Sequence, residues 1–587
     1  MNGSPTFTAR EKLLKRASAA KYSPSLFLIM SKLKVTLIVF LCLAVASAVG
    51  VFLSHVLYVF FSKNIVHYLN ISLMVDALND AGGDIRAASN VLKNSLAVGL
   101  GLGTLLGTYI GFKLIWKERS LYGRAKFATK AEIKAAGFFT PKDNTLIVGK
   151  VGKDYLYYGG QQFAILAAPT RSGKGVGIVI PNLLTYKESV VVLDIKQENF
   201  SLTSGFRQAY GHEVFLFNPF AEDGRTHRWN PLTYITSDVR GRVSDIMSIA
   251  LMLYPVGADG KDQFWKGQAQ NVFLALVLFL LEYQDHQREL GCPESSLNPV
   301  CIGAVLQLST ADGVPLAEHI TALSERSVLS QQAKTAFSGL LANNEETFAS
   351  IMGTFKEPLL PWLNPVVNAA TAADDFLLTD VRKKKMTVYI GILPNKIVDA
   401  KLIVNLFFSQ LINENTRQLP QENPELKHQC LLLMDEFTTL GRVEIIAKSL
   451  SYIAGYNLRL FPIIQSIAQL DSTYGKDDSR TMLTNHALQI LYTPRAQSDA
   501  NDYSEMLGYE SVKKTSKSYA REKSKSVNEE KRALMLPQEL KAMSNDSEII
   551  IFEGMSNPIM CSKIKYYKDK NFTSRLQPAV HVPTLAY

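Results

Sequence analysis

Cysteine is scarce in this chain: five in 587 residues, with no C-x-x-C pair and no metal-ligand spacing. That excludes a disulfide framework and a structural zinc site. Cys292, Cys301, Cys430 and Cys561 read as reduced thiols of a cytosolic body, and Cys42 falls in an apolar stretch. Charge of one sign is also modest. The net charge is +10 with a pI near 9.0, which permits a polyanionic partner or an anionic membrane surface without requiring either. Long apolar runs are few. Hydrophobic content is 47%, ordinary for a globular chain, so any membrane part is a minority.

The apolar runs that do occur are informative. Val35 to Phe61 is almost wholly apolar and long enough to span a bilayer; it is too long, with the wrong flanks, for a cleaved signal peptide. Leu96 to Trp116 is a second span, with Lys113 near its end. Gly99, Gly103, Gly107 and Gly111 lie near one face of it, either for close approach of another helix or as plain flexibility. The N-terminal tail carries Arg10, Lys12, Lys15, Arg16, Lys21, Lys32 and Lys34. Lys117, Arg119, Arg124 and Lys126 follow the second span, whereas the loop between spans has only Lys63, Arg86 and Lys93. Both termini are therefore expected in the cytoplasm.

The strongest signal follows the strand-like run Phe163 to Ala167. There Ala168-Pro169-Thr170-Arg171-Ser172-Gly173-Lys174-Gly175 leads into a helical pattern from Val176. Strand, small-residue loop with Gly-Lys, then helix is the arrangement of a phosphate-binding P-loop. Backbone N–H groups make an anion-binding concavity and Lys174 reaches the β- and γ-phosphates. Two motif positions are missing: Ala168 stands for the first glycine, and Gly175 for the hydroxyl residue that ligates magnesium.

Far downstream, Cys430 to Met434 runs straight into Asp435-Glu436. Such a run reads as a buried parallel strand delivering acids to the crevice above a sheet. Asp435 is the expected magnesium organiser and Glu436 the residue that polarises the attacking water; a buried strand followed by a solvated turn is the plainer alternative. A third strand, Arg459 to Ile464, ends in Gln465, either a γ-phosphate sensor or a polar turn. A fourth, Glu188 to Asp194, leads into polar Ile195 to Asn199 at the same crevice. Asp194 either supports magnesium, partners Lys174, or caps the strand end.

Elsewhere, Thr129 is expected to cap a helix in the connector that begins at Leu121, and a P-loop domain begins near Leu146. Long helical patterns dominate from Thr236 to Ala373. The run from Phe264 to Glu282 has too short a continuous apolar stretch for a span and reads as a buried core helix. The sheet resumes at Met386. Arg382 to Lys385 before it is a phosphate contact or a solvated strand start. Lys513, Lys514, Lys517, Arg521, Lys523 and Lys525 form a basic hairpin or loop that touches DNA, or a solvated segment. Leu536 to Leu540 starts a short helix. Ile549 to Phe552 and Met560 to Tyr567 are expected to form a closing edge hairpin, and the last residues to be poorly ordered.

Taken together, the chain resembles the type IV secretion coupling proteins: membrane-anchored, hexameric ring ATPases related to the translocases of chromosome segregation. The resemblance covers nearly all of residues 30–570. It rests on Pro169 to Gly177, Val192 to Asn199, Phe217-Asn218-Pro219, Trp229 to Leu232, Phe264 to Ala269, Met434 to Phe437, Ile464 to Gly475 and the two-span N-terminus. It implies an α/β fold: a RecA-like P-loop domain with an inserted all-α domain and an N-terminal two-helix transmembrane module. The expected division is a cytoplasmic tail (1–34), a transmembrane hairpin (35–116), the P-loop domain (117–235 and 374–587) and the all-α domain (236–373).

The resemblance further implies ATP and Mg2+ as cofactors, nucleotide binding by Thr170, Arg171, Ser172, Gly173, Lys174, Gly175 and Val176, and an inner-membrane location. It implies a homo-hexamer that engages single-stranded DNA, a relaxase–DNA complex or effector proteins, and components of a secretion channel. Some relatives supply an arginine to the neighbouring subunit's γ-phosphate just before the sensor strand. Here that stretch reads Ala454 to Asn457, leaving Arg442, Arg459 or Arg495, with Arg495 preferred. With Gly175 at the hydroxyl position, magnesium falls to Asp435, phosphates and water, with Thr170 and Ser172 as helpers. A nucleotide-switched docking platform is the alternative of another class. A chromosome-segregation translocase is a third; those usually carry a winged-helix DNA reader, and no such reader is visible here.

Overall fold

The computed structural model describes residues 121–586 except 143, 256–259, 312 and 519–523, together with scattered positions between 48 and 109. The chain divides into two compact units, Met1–Leu121 and Tyr122–Tyr587. In the first, the described positions up to 109 are helical; the N-terminal tail and most of both apolar spans and the loop between them lie outside the described residues.

The second unit is a mixed α/β body built on one sheet. Its strands are β1 (Leu146–Val151), β2 (Asp154–Tyr158), β3 (Ala164–Ala167), β4 (Ser189–Ile195), β5 (Glu213–Phe217), β6 (Met386–Ile392), β7 (Cys430–Met434), β8 (Leu458–Ile464), β9 (Leu488–Leu491), β12 (Ser547–Phe552) and β13 (Ile559–Ser562). A separate hairpin pairs β10 (Tyr509–Ser518) with β11 (Ser524–Ala533). The order in the large sheet is β2-β1-β13-β12-β9-β3-β8-β7-β4-β6-β5. From β9 to β5 every pairing is parallel, and from β9 to β2 every pairing is antiparallel.

The parallel strands are covered on both faces, so they carry apolar residues at consecutive positions rather than alternately. β6, β7 and β8 are buried at every residue. Parallel pairing also brings their C-terminal ends to one edge. Ala167 stands beside Ile464, Leu193 beside Met434, and Asp194 beside Gly391.

Among the described residues no strand occurs between Phe217 and Met386; turns and coil run to Asn230, and from Pro231 on helices dominate. Capping follows the chemistry of its loops: Ser330 Oγ accepts from Ala333 N (3.2 Å) and Asn344 Oδ1 from Thr347 N (2.8 Å). Helix Gly260–Glu289 is the one described helix long and apolar enough to cross a membrane, yet 56% of its apolar window is buried. Ala269, Phe273, Leu276 and Leu280 join Phe337 and Ile351 in a core that continues to Leu432 and Ile464 in the sheet.

Three expectations need correction. Strands β12 and β13 do pair antiparallel, but they lie inside the sheet; β2 forms that edge, because β1 returns to pair with β13 across the whole length of the unit. β13 also stops at Ser562. The C-terminal tail is packed: Thr226 N donates to Pro583 O (3.1 Å), Leu585 N to Gly224 O (3.0 Å) and Val580 N to Ser204 Oγ (3.1 Å). It passes flush against the helix at Gly205, where any Cβ would run into Pro578. Arg382 is buried and donates to Asn415 Oδ1, Gln418 O and Tyr456 O, and Lys384 pairs with Glu213 and Asp380. This basic run precedes β6, so it sits at the opposite end of the parallel strands from the crevice and meets no phosphate there.

Thr129 caps Lys130–Ala135 with a complete capping box. The basic segment after Gly508 falls on the β10–β11 hairpin, with Lys513, Lys514 and Lys517 on β10 and Lys525 on β11; Arg521 and Lys523 lie outside the described residues. The hairpin's base pairs with the connector, through Ala125 N to Tyr509 O (3.0 Å) and Ser511 N to Gly123 O (3.2 Å), and Lys514 pairs with Glu530 at 3.1 Å.

Candidate functional site

A cleft of about 500 Å³ opens at the C-terminal ends of β3, β8, β7, β4 and β6. The turn after β3 supplies Thr170, Arg171, Gly173, Lys174, Gly175 and Val176; β7 supplies Asp435 and Glu436, β8 Gln465, and β4 Lys196, Glu198 and Asn199. Crevices at this edge of a parallel sheet are where ligands bind, because strand ends deliver side chains there without breaking the ladder.

The loop after β3 begins with Ala168 N donating to Ile464 O (2.9 Å), and Ser172 N donates to Pro169 O (3.2 Å). Arg171 (φ +58°) and Gly173 (φ +87°) are left-handed, curling the backbone tightly. A helical run starts at once, Gly175–Val179 as a π-helical turn and then Ile180–Leu183. Gly175 is not required by packing, since a Cβ there would meet nothing within 4 Å.

Lys174 Nζ lies 3.3 Å from Asp435 Oδ1 and 2.5 Å from Glu436 Oε1. These are contacts by distance; neither Lys174 Nζ nor Asp435 Oδ1 has an aligned hydrogen bond, and the buried Ser172 Oγ has no partner at all. Burial pushes the Asp435 carboxyl upward against the pull of Lys174. Burial also pushes Glu436 upward, but the hydrogen bond from Gln465 and the charges of Lys174 and Lys196 outweigh it and hold that carboxyl below its ordinary range. Glu436 is itself left-handed at φ +56°, a conformation that costs a non-glycine residue roughly 1–3 kcal/mol and gathers at functional sites.

A curled loop of backbone amides, a lysine, a buried hydroxyl without a partner and a carboxylate with an unaligned oxygen fit a polyphosphate with a divalent cation. Asp435 and Thr170 both line this cleft, and Asp435, with Oδ1 lacking an aligned hydrogen bond, is a carboxylate that could hold such a cation.

Asp194 takes the capping role. It is buried and accepts from Asn199 N (3.2 Å), Asn199 Nδ2 (3.0 Å) and Phe200 N (2.7 Å), at the start of helix Glu198–Ala209. Burial raises its carboxyl to about 7, with Asp435 adding to the shift. The three arginines also separate. Arg442 is engaged by Glu444, Asp478 and Tyr474 O. Arg459 is buried and donates to the carbonyls of Gln162, Asn144 and Tyr158. Arg495 is exposed and donates from Nη2 to Thr170 O in the phosphate loop of its own chain at 2.9 Å. Sequence reasoning passed over Pro394 and Ile397, which line the cleft after β6. It also passed over Lys563, whose Nζ donates to Ser172 O at 3.2 Å. The end of β6 carried the same signal as the other parallel strands.

The family model for type IV secretory system conjugative DNA transfer matches residues 115–585. The chain belongs to this family. A relative, protein VirD4 of Rhizobium radiobacter, is 31% identical over 466 residues, 76% of this chain and 64% of its own length. Conjugal transfer protein TraG of Escherichia coli is 28% identical over 425 residues, 67% of this chain and 65% of its own. The chain thus spans just under two thirds of these family members. Among solved structures, plasmid coupling protein TrwB in complex with the ATP analogue ADPNP aligns with a TM-score of 0.54 at 16% identity, covering 77% of this chain and 96% of that one. TrwB in complex with ADP and Mg2+ aligns at 0.53 and 15%, covering 76% and 94%. At such identity the likeness is one of fold: a mixed α/β body with a large parallel sheet.

Proposed function

We propose that this chain is the ATPase of a conjugative or effector-delivering type IV secretion system. It recruits relaxase-linked DNA or effector proteins and feeds them into the secretion channel. It is anchored in the bacterial inner membrane by two spans with both termini cytoplasmic, and works as a homo-hexamer on single-stranded DNA. The observation that carries the reading is the convergence of Lys174, Asp435, Glu436 and Gln465 on one cleft beside a curled phosphate loop. The family supplies the biological setting.

The chemistry follows from these groups. Phosphates entering the loop exchange one set of anions for another around Lys174, drawing it from the carboxylates onto the transferring phosphoryl group. Asp435, freed of Lys174, would hold magnesium, which when bound would supply positive charge to offset that of the phosphates. Glu436, kept ionised by Gln465 and its neighbouring lysines, takes a proton from the attacking water. Gln465 holds that carboxylate in place and reports whether the γ-phosphate is present. The helical stretch 236–373 is the all-α domain that engages cargo, and residues 117–235 with 374–587 form the motor domain.

The test is ATP turnover by the full-length protein in detergent, compared with Lys174→Ala. The variant keeps its melting temperature and loses turnover, because a lost phosphate clamp costs several kcal/mol of barrier. Undiminished turnover in a folded Lys174→Ala protein contradicts the assignment.

A further inference from the structure

Five non-glycine residues among those described have left-handed backbone; three of them, Arg171, Lys196 and Glu436, line the cleft, and a fourth, Gln197, follows Lys196 in the chain. Arg171 shapes the phosphate loop and Glu436 is the proposed base. Lys196 (φ +88°) has so far served only to help keep Glu436 ionised, Gln197 (φ +59°) has had no part, and the two are consecutive. Ending a parallel strand does not demand this, since β6 and β8 leave the sheet with no left-handed residue. Strain of this kind persists only where the surroundings hold it, and it marks functional positions.

The surroundings do hold it. Lys196 N donates to Ile392 O (3.2 Å) and Gln197 N to Asp194 O (3.3 Å). Ser201 donates to Gln197 O from both N (3.1 Å) and Oγ (2.8 Å). The Gln197 side chain lies over Gly391, where a Cβ would come within 3.0 Å of its Cγ. Asp194, one residue before the turn's end of β4, is locked by capping the next helix. The loop is pinned on three sides, and its exposed lysine lines the cleft beyond the Asp435–Glu436 pair in sheet order. Its charge is felt at Glu436. No ion-pair partner holds its ammonium among the described residues.

We propose that Lys196 is a second phosphate-contacting cation of the site, a catalytic residue whose ammonium meets the γ-phosphate as Lys174 does and stabilises the charge that develops during transfer. The role rests on the ATPase reading of the cleft. A lysine brought by a loop already locked in its strained form needs no reorganisation at the moment of reaction, which is what makes a charge effective there. Because the contact is with the transferring group, it acts on turnover more than on nucleotide affinity.

Lys196→Gly separates this role from a structural one. Glycine relieves the φ +88° strain, so the variant melts higher than wild type, whereas removing a catalytic cation lowers kcat by at least about tenfold with little change in KM for ATP. Lys196→Arg keeps the charge and retains most of the turnover. The assay uses the full-length chain with Mg-ATP, beside Lys174→Ala. Wild-type kcat in Lys196→Gly, or a loss that tracks a lowered melting temperature, overturns the inference. An equal loss in Lys196→Arg also overturns it. If Lys174→Ala turns over ATP like wild type, it is the ATPase reading that falls.

Discussion

Gln465 Nε2 donates to Glu436 Oε2 at 2.7 Å, joining the ends of two neighbouring parallel strands directly over the cleft. The bond fixes the left-handed Glu436 turn and favours its ionised form against burial. Gln465→Ala removes a stabiliser of the carboxylate, so the Glu436 pKa rises. The acidic limb of the pH–rate profile, where the base is lost by protonation, therefore moves to higher pH, with a lower plateau. Turnover measured from pH 5 to 9 checks this; an acidic limb that stays in place shows that Gln465 does not act through Glu436.

The two adjacent acids are expected to fail differently. Glu436→Gln keeps shape and nucleotide binding but loses the base, lowering turnover by about 10²–10⁴-fold. Asp435→Asn mainly weakens magnesium-dependent nucleotide binding. Equilibrium binding with and without magnesium, alongside turnover, distinguishes them, and exchanged behaviour of the two variants reverses the roles.

Behind the phosphate loop, Glu548 is fully buried with Oε2 unpaired, and burial pushes its carboxyl up to about 8. Lys563, which touches Ser172 O, is lowered to about 8 by its own burial. A carboxyl whose folded value is raised favours the folded state fully only below its unfolded value near 4.5, and that contribution is lost as pH rises through 8. Lys563 opposes this only between about 8 and 10.5. Glu548→Gln should therefore gain melting temperature over wild type progressively from pH 5 to pH 8. A gap that stays constant across that range removes Glu548 as a titrating group.

Much of this site was legible because buried parallel strands announce themselves as unbroken apolar runs, and their first polar residues mark the crevice. Asp435, Glu436 and Gln465 were found that way, and Lys174 through the Gly-Lys loop that follows one such strand. Asp194 was not assignable, since a carboxylate at a strand end reads the same whether it meets a metal or caps the following helix; only Asn199 and Phe200 decide it. The place of β12 and β13 was missed because sheet order depends on the pairing of β13 with β1, residues some 400 positions apart that no local pattern relates. The tail was missed because its anchors are backbone groups at Gly224 and Thr226, which leave no periodic signature. Among the arginines, hydrogen-bond partners rather than sequence position separate buried Arg459 and ion-paired Arg442 from exposed Arg495.

The most direct measurement of the proposed function is ATP turnover per subunit of the full-length protein against protein concentration, with and without single-stranded DNA. A motor that completes its site between subunits is feeble when dilute and monomeric, because the transition-state charge is left incompletely stabilised. Turnover should rise as subunits gather, rise further with DNA, and lose the DNA effect steeply with salt as phosphate contacts are screened. Arg495→Ala should abolish the stimulated rate and leave nucleotide binding intact. A rate per subunit that stays flat down to a confirmed monomer and ignores DNA contradicts the motor and supports a docking platform instead.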